Sequence, residues 1–210
     1  MKRICIALAD HVASFCSLFF SYSFLKYSKY FRNRIYSFMV KRNFKNCGKN
    51  FYIESPIYLH GAQNIEIGDD FFCFERLRLE TFETHNQFTF NPKITIGNNV
   101  SINYDCHIGC INSITIGNNV LIASKVFITD HFHGLPNLES LTLPPNKRGL
   151  VSKGPVVIAD NVWIGEGVTI MPNVTIGKNA IIGANAVVTK SFPENAVIAG
   201  NPAKCIKIIQ

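Results

Sequence analysis

The chain has 210 residues, of which 47% are hydrophobic and 17% are charged, and this size suits one domain with a sizeable core. The net charge of +7 is confined to residues 1–46, which hold nine Lys and Arg side chains and one acid, whereas the other 164 residues hold 12 basic and 13 acidic side chains. A body without excess positive charge predicts no nucleic-acid partner. Seven scattered Cys without a CxxC pair indicate neither a disulfide framework nor a zinc knuckle.

The basic N-terminal segment is also aromatic, with 11 Phe and Tyr side chains from Phe15 to Phe44. Basic and aromatic side chains together suit a membrane–water interface, because Lys and Arg meet anionic lipid there and rings lie at headgroup depth. Helices that pack on the main body are the other open interpretation. We therefore predict a helical segment over residues 1–50, with an anionic membrane surface or the rest of the chain as the partner of residues 1–46. Asp10 and the polar side chains around it argue against a spanning helix.

From about residue 57 the sequence repeats with a period of six. An aliphatic residue recurs at every sixth position, a small or β-branched residue follows four positions later, and Asn or Gly lies between them. The clearest run is Ile158, Ile164, Ile170, Ile176, Ile182 and Val188. A period of six fits a short strand plus a corner, where Asn and Gly adopt positive φ at little cost. Stacked units of this kind bury a continuous core, so an all-β solenoid is predicted.

Three stretches of the repeat resemble the hexapeptide-repeat acyltransferases. They are IGNNV at 96–100 and 116–120, the run from IADNVWIGEG to VVTK at 158–190, and IAGNPAKCI at 198–206. The sequence is similar to the maltose/galactoside O-acetyltransferase group, and most like the bacterial polysaccharide O-acetyltransferases that modify O-antigen and capsular sugars.

This resemblance implies a left-handed parallel β-helix over residues 51–200, an excursion loop at 129–155 and a C-terminal tail at 201–210. It also implies a homotrimer with active sites between subunits. Acetyl-CoA would be the acyl donor, a glycan or lipid-linked glycan the acceptor, and no metal would be required. The expected location is cytoplasmic, peripheral at the inner face of the membrane if the N-terminal segment binds lipid.

Acetyl transfer to a hydroxyl needs a base, and a histidine suits this task at neutral pH. The stretch ITDHFHG at 128–134 holds two histidines where the repeat stops, at the start of a long loop rich in Pro and Gly. The resemblance implies that His131 is the base, because the family's catalytic histidine opens the long loop. His133 is the second candidate, since only one residue separates the two.

Asp105 and His107 lie 26 and 24 positions before His131, on preceding coils. We expect Asp105 to orient the imidazole of His131 or to bind a sugar hydroxyl. His107 is expected to contact the acceptor, and a rung side chain without a role is the alternative. The resemblance places Trp163 near both coenzyme and acceptor. The other residues that it implies for coenzyme binding are Glu166, through its backbone N–H, Ala184, Thr189, Lys190, Lys204 and Lys207.

Three other functions stay open at this point. A small-molecule acceptor, such as a free saccharide or an antibiotic, would use the same chemistry. A metal hydratase like the γ-class carbonic anhydrases would use His107, His131 and His133 as ligands, although their spacing does not resemble that class. A non-catalytic scaffold is the third, and the loop histidines and Trp163 argue against it.

Overall fold

The computed structural model describes residues 2–210. Two helices come first, α1 (Lys2–Ser17) and α2 (Tyr22–Lys41), and a short helix α3 (Leu138–Leu141) lies in the 129–155 loop. Turns of 3₁₀ helix lie at Ala62–Asn64 and Pro145–Lys147. The strands of the described chain are β1 (Asn46–Cys47), β2 (Tyr52–Ile53), β3 (Tyr58–His60), β4 (Ile65–Ile67), β5 (Phe72–Cys73), β6 (Arg78–Thr81), β7 (Thr84–His85), β8 (Phe88–Thr89), β9 (Lys93–Ile96), β10 (Ser101–Ile102), β11 (His107–Cys110), β12 (Ser113–Ile116), β13 (Leu121–Ile122), β14 (Phe127–Thr129), β15 (Phe132–His133), β16 (Leu150–Val151), β17 (Val156–Ile158), β18 (Trp163–Ile164), β19 (Thr169–Ile170), β20 (Thr175–Ile176), β21 (Ile181–Ile182), β22 (Val187–Val188), β23 (Ala196–Ala199) and β24 (Lys204–Ile208).

The chain visits three parallel sheets in rotation. The first sheet has the order β1-β4-β9-β12-β17-β20, the second β2-β5-β10-β13-β18-β21-β23, and the third β3-β6-β11-β14-β19-β22. Three consecutive strands therefore make one coil of a three-sided prism, and each strand pairs with its equivalents one coil before and after. The predicted stacking of short parallel strands is confirmed.

The period-six aliphatic residues fill the interior of the prism. Ile108, Ile128 and Ile170 lie opposite one another on successive strands of the third sheet and are fully buried. Asn residues take the corners as predicted: Asn119 and Asn161 have φ of 56° and 59°, and the side-chain amide of Asn119 donates to that of Asn161 at 3.0 Å. Each coil is thus fixed by a stacked core inside and by side-chain hydrogen bonds at the corner.

Two boundaries differ from the sequence-based prediction. Strand β1 already pairs with β4, with Cys47 opposite Ile67, so the coils begin before residue 51. The predicted start lies too far along the chain because Cys47 takes the place that an isoleucine holds in later coils. At the other end, residues 204–208 are not a free tail, since β24 pairs antiparallel with β23.

The two N-terminal helices differ in how they contact the coils. Helix α2 buries Asn33, Ser37 and Val40 against the first coil, so helix packing on the body is confirmed for one side of α2. The described side chains of α1 are all exposed. Neither helix alone has the length and apolar content to cross a membrane, but by those two criteria the pair Cys5–Ser17 and Tyr22–Lys41, bent by 78°, could do so.

Two excursions leave the prism at the same corner, after strands of the third sheet. The first carries the β7–β8 hairpin, and the second, residues 129–155, carries the antiparallel pair β15–β16. They touch each other: the ring of His85 lies 5.6 Å from that of His133, and Phe88 lies close against Gly149. This corner is where the repeat stops, and the two excursions enclose one side of it.

Candidate active site

A cleft of about 170 Å³ lies on the outer face of the third sheet, beneath the two excursions. Strands β6, β11 and β14 supply its floor, because their outward residues stand in register on neighbouring coils. The lining residues are Arg78, Glu80, Phe82, His107, Gly109, Phe127, Thr129, His131 and His133. The stretch 128–134 thus ends a stiff strand and opens directly onto the cleft.

His131 is held from one side of its ring. Its Nδ1 lies 3.0 Å from Oδ1 of Asp130 and 3.2 Å from the hydroxyl oxygen of Thr129, and the edge of Phe82 packs against it at a centroid distance of 6.1 Å. Within residues 2–210, Nε2 of His131 forms no hydrogen bond. With Nδ1 fixed by a carboxylate, Nε2 is the nitrogen left to meet a ligand in the cleft.

Asp130 is fully buried and accepts hydrogen bonds from two coils. Its Oδ1 accepts from the backbone N–H of Ile111 at 2.9 Å, and its Oδ2 accepts from the N–H of Asn112 at 2.8 Å and from the thiol of Cys110 at 3.1 Å. Burial alone would raise the pKa of Asp130, but the hydrogen bonds from His131 and these donors outweigh it, and the pKa is lowered. Asp130 is therefore a carboxylate at neutral pH, as is needed to accept the Nδ1 proton of His131.

Cys110 contributes as a donor. Burial and the neighbouring Asp130 hold the pKa of this thiol well above its usual value, so the thiol stays protonated and points its hydrogen at the carboxylate. Sequence reasoning missed Asp130. The signal was the alternation along β14: Ile128 faces inward and Thr129 outward, which predicts an inward acid at 130 that must find partners.

His107 borders the cleft, and its contact with an acceptor stays a prediction. Its Nε2 lies 3.1 Å from Oε2 of Glu80, and its ring packs on Phe127. The same Oε2 lies 2.7 Å from Nε of Arg78 in an ion pair. Burial lowers the pKa of His107, and the Arg78 charge lowers it further despite Glu80. A neutral His107 donates to Glu80, so the floor of the cleft presents a polar, mutually bonded group.

Gly109 keeps the space between the two imidazoles open. A Cβ atom at this position would lie 3.4 Å from Nε2 of His107 and 3.5 Å from Cε1 of His131. Any side chain here would therefore enter the cleft beside the two rings.

His133 lies at the rim of the cleft and is exposed. Burial of part of its ring, followed by the charges of His85 and His131, lowers its pKa. In the part of the chain described here, no hydrogen bond orients it. It stays the second candidate for the base, with less positioning than His131 has.

The structure corrects the prediction for Asp105. Its carboxylate forms a two-point ion pair with Arg76, at 2.6 and 2.9 Å, at an exposed corner, and Asp130 takes the place beside His131. The reason is the length of the coil: His107 lies opposite Phe127, so one coil here spans 20 residues and Asp105 stacks near Lys125. The orienting role of Asp105 was wrong, and a contact between Asp105 and a sugar hydroxyl stays a prediction.

Trp163 lies on another side of the prism from His131. It stands on β18 in the second sheet, between Leu121 and Ile181, and is 51% exposed, whereas His131 follows β14 of the third sheet. One chain therefore does not bring Trp163 and His131 into one cleft.

The other predicted coenzyme residues fall into three groups. Glu166 and Ala184 share the corner after the second sheet on successive coils, where the N–H of Asn185 donates to the Glu166 carbonyl at 2.8 Å. Thr189 and Lys190 follow β22 of the third sheet, at the same corner as His131. Lys204 and Lys207 are exposed on β24, beside the second sheet. Their contacts with a coenzyme stay predictions.

The three histidines do not assemble as metal ligands. His107 is engaged with Glu80, and His131 with Asp130. Across residues 2–210, no three His, Cys, Asp or Glu side chains are grouped as a metal site. The geometry gives the metal-hydratase interpretation no support.

Comparisons with known proteins assign the chain to a family. The family described as bacterial transferase hexapeptide (six repeats) matches residues 155–190. The putative lipopolysaccharide biosynthesis O-acetyl transferase WbbJ of Escherichia coli K12 is 43% identical over 168 residues, which cover 78% of this chain and 80% of that protein. Galactoside O-acetyltransferase of the same organism is 34% identical over 171 residues, covering 81% and 67%.

A solved structure shows the same fold. A point mutant of AntD, an N-acyltransferase from Bacillus cereus, in complex with dTDP-4-amino-4,6-dideoxyglucose and coenzyme A, superposes with a TM-score of 0.66. It is 23% identical, and the match covers 82% of this chain and 88% of that one. The period-six repeat, the three parallel sheets and the relatives agree, and the chain belongs to the hexapeptide-repeat acyltransferases, in the O-acetyltransferase group that includes WbbJ and galactoside O-acetyltransferase.

Proposed function

We propose that this acyltransferase transfers an acetyl group from acetyl-CoA to a sugar hydroxyl of a bacterial surface polysaccharide or of its lipid-linked precursor. The observation that carries the proposal is the pair formed by Asp130 and His131, a buried carboxylate on Nδ1 of a histidine whose Nε2 meets a cleft. The similarity to WbbJ favours a lipopolysaccharide sugar as the acceptor. Acetyl-CoA as the donor favours the cytoplasm as the compartment.

The reaction follows from the orientation of the imidazole. Nε2 of His131 removes the proton of the sugar hydroxyl while its oxygen attacks the thioester carbonyl, so that no covalent acyl-enzyme forms. The tetrahedral intermediate then expels the coenzyme thiolate, which recovers the proton from the imidazolium. Asp130 keeps the proton of the resting imidazole on Nδ1 and stabilises the imidazolium that forms. The backbone N–H of Glu166, from a neighbouring subunit, is our candidate donor to the oxyanion.

The site is incomplete in one chain, which supports a homotrimer. The cleft holds about 170 Å³, below the roughly 300 Å³ at which small-molecule pockets usually begin. Trp163, Glu166 and Ala184 lie on a different side of the prism from His131. A neighbouring subunit that presents this side to the cleft would enlarge it and bring both sets of residues together. We accordingly infer a trimer. From the family resemblance we also infer that its coils are left-handed.

The test is to identify the product. Purified protein is incubated with ¹³C-acetyl-CoA and, in separate reactions, with lipid-linked glycans, polysaccharide fragments and free saccharides, and new O-acetyl carbons are located by NMR. We expect an ester on a sugar hydroxyl of the glycan acceptors. Transfer only to free saccharides would replace the acceptor class by small molecules. Coenzyme release without any ester would overturn acetyl transfer to a hydroxyl.

A further inference from the structure

Helix α2 lies on the body with its polar side inward, which is the reverse of an ordinary surface helix. Asn33 and Ser37 are buried at the contact. The hydroxyl of Ser37 accepts from the backbone N–H of Ile53 at 2.8 Å, and Oδ1 of Asn33 accepts from the N–H of Ser55 at 3.3 Å. A side chain that bonds backbone groups of the first coil fixes the rotation of the helix about its own axis.

An ion-pair cluster holds the same orientation near the start of α2. Nζ of Lys29 lies 2.9 Å from Glu54 and 2.8 Å from Glu75, and the hydroxyl of Tyr36 accepts from the N–H of Ile57 at 3.2 Å. The outward direction of the opposite side of α2 is therefore set by the body.

That opposite side carries an apolar stripe of Phe24, Tyr27, Phe31, Ile35 and Phe38. The spacing of three and four positions puts the five side chains on one helix face. They are between 49% and 73% exposed. Large rings directed into water cost free energy in proportion to their apolar area, so this face indicates a partner.

Helix α1 continues the exposed apolar surface. Ile6, Leu8, Val12 and Phe15 are each at least 55% exposed, and residues 2–41 hold sixteen of the twenty-seven large exposed hydrophobic side chains of the described chain. A helix of 16 residues without tertiary packing is marginal in water. Helix α1 therefore needs a binding partner to be stable as a helix, and its exposed apolar side chains, like the apolar stripe, indicate one.

The positive charge around this surface indicates which kind of partner binds it. Residues 1–46 hold nine basic side chains against the single acid Asp10. Of these, Arg32, next to Phe31, and Arg42, one turn after Phe38, are exposed at the edges of the apolar stripe. A second copy of the same surface would bring like charges together. Anionic lipid headgroups complement the basic residues, while the acyl boundary accepts the rings.

We propose that α1 and the apolar stripe of α2 form a docking surface for an anionic lipid bilayer. The helices lie in the headgroup region of the bilayer. The polar contacts between α2 and the first coil fix the orientation of the coils and the cleft relative to the membrane. This surface is independent of the acetyl-transfer proposal, because none of its residues lines the cleft.

The full-length protein is floated with vesicles of phosphatidylglycerol and phosphatidylcholine, and separately with phosphatidylcholine alone. We expect strong binding to the anionic vesicles, weak binding to the neutral ones, and a decline with added salt. In Phe24→Glu/Phe31→Glu/Phe38→Glu, partition should fall about a thousandfold, since each of the three buried rings contributes roughly tenfold. In Arg32→Ser/Arg42→Ser, it should fall roughly fivefold for each charge removed.

The matched control is Leu138→Glu/Leu141→Glu/Leu143→Glu, which makes the same charge change on exposed aliphatic side chains of the excursion loop. Its vesicle binding should equal that of the unaltered protein. Circular dichroism and light scattering without lipid check the fold and the mass of every variant. Failure of the unaltered protein to float with anionic vesicles would overturn the proposal, and so would undiminished binding by the Phe variant. A Phe variant of lower mass, together with no lipid binding by the unaltered protein, would assign the surface to subunit contact instead.

Discussion

The substitution Asp130→Asn tests how His131 is positioned. The amide keeps the volume of the carboxylate but offers one acceptor oxygen where the carboxylate offers two. In the structure the two oxygens accept from Nδ1 of His131, the N–H groups of Ile111 and Asn112 and the thiol of Cys110. The amide NH₂ must therefore face the backbone N–H of either Ile111 or Asn112. The groups that donate to that oxygen of the carboxylate lose their acceptor.

The expected magnitudes follow from this count. A hydrogen bond to a charged group contributes about 1.5–3 kcal/mol, and a buried donor left without an acceptor adds its desolvation cost. We expect the free energy of unfolding to fall by about 2–4 kcal/mol. The effect on kcat should be about 10²- to 10⁴-fold, because the amide no longer fixes the Nδ1–H tautomer or stabilises the imidazolium. The KM for acetyl-CoA should change little.

The assay measures thiol release from acetyl-CoA at saturating acceptor, with urea unfolding followed in parallel. Asp105→Asn is the matched control, since it makes the same chemical change at an exposed ion pair and should alter kcat by less than about twofold. A folded Asp130→Asn enzyme with undiminished kcat would refute the positioning role. So would a loss of kcat in Asp105→Asn as large as that in Asp130→Asn.

Three further predictions concern the cleft, the assembly and acid stability. Gly109→Ala places a methyl group within 3.5 Å of both imidazoles, and steady-state kinetics should show an acceptor KM about tenfold higher with an unchanged melting temperature. When His131→Ala and Trp163→Ala subunits, each inactive alone, are refolded together, about a quarter of the activity should return, because a quarter of the shared sites regain both residues; no recovery would contradict sites between subunits. The lowered pKa of Asp130 means that its stabilisation is complete above the unfolded carboxyl pKa of about 3.9 and is lost as the pH falls through the lower folded value. In urea titrations, the unfolding free energies of the unaltered protein and Asp130→Asn should therefore converge as the pH falls below the unfolded carboxyl pKa and through the lower folded pKa of Asp130, and a constant difference would contradict this.

The fold could be predicted from the sequence because each coil repeats one local rule. Inward isoleucines such as Ile128 and Ile170 and corner asparagines such as Asn161 satisfy strand, core and turn preferences together. The first strand of the first coil escaped prediction because Cys47 replaces the aliphatic residue that marks later coils. The inverted packing of α2 escaped too, since its polar contacts with Ile53 and Ser55 join distant parts of the chain.

The site was predicted less completely, and the reason is the length of one coil. Counting back from His131 pointed to Asp105, but the strand pairing sets His107 opposite Phe127. The carboxylate beside His131 is therefore that of its sequence neighbour Asp130, and residues 110–112 donate hydrogen bonds to it. Two of the donors that stabilise this buried carboxylate are the backbone N–H groups of Ile111 and Asn112. Backbone groups carry no side-chain signal in a sequence.

The comparison of His131→Ala with His133→Ala tests the central claim most directly. Both variants are assayed under single-turnover conditions, with acetyl-CoA and the acceptor bound, and the ester on the sugar is quantified. We predict that transfer in His131→Ala falls by at least about 10²-fold, as expected when a general base is removed, while His133→Ala retains most of its rate. Undiminished transfer by His131→Ala, or a loss confined to His133→Ala, would contradict the assignment of His131 as the base.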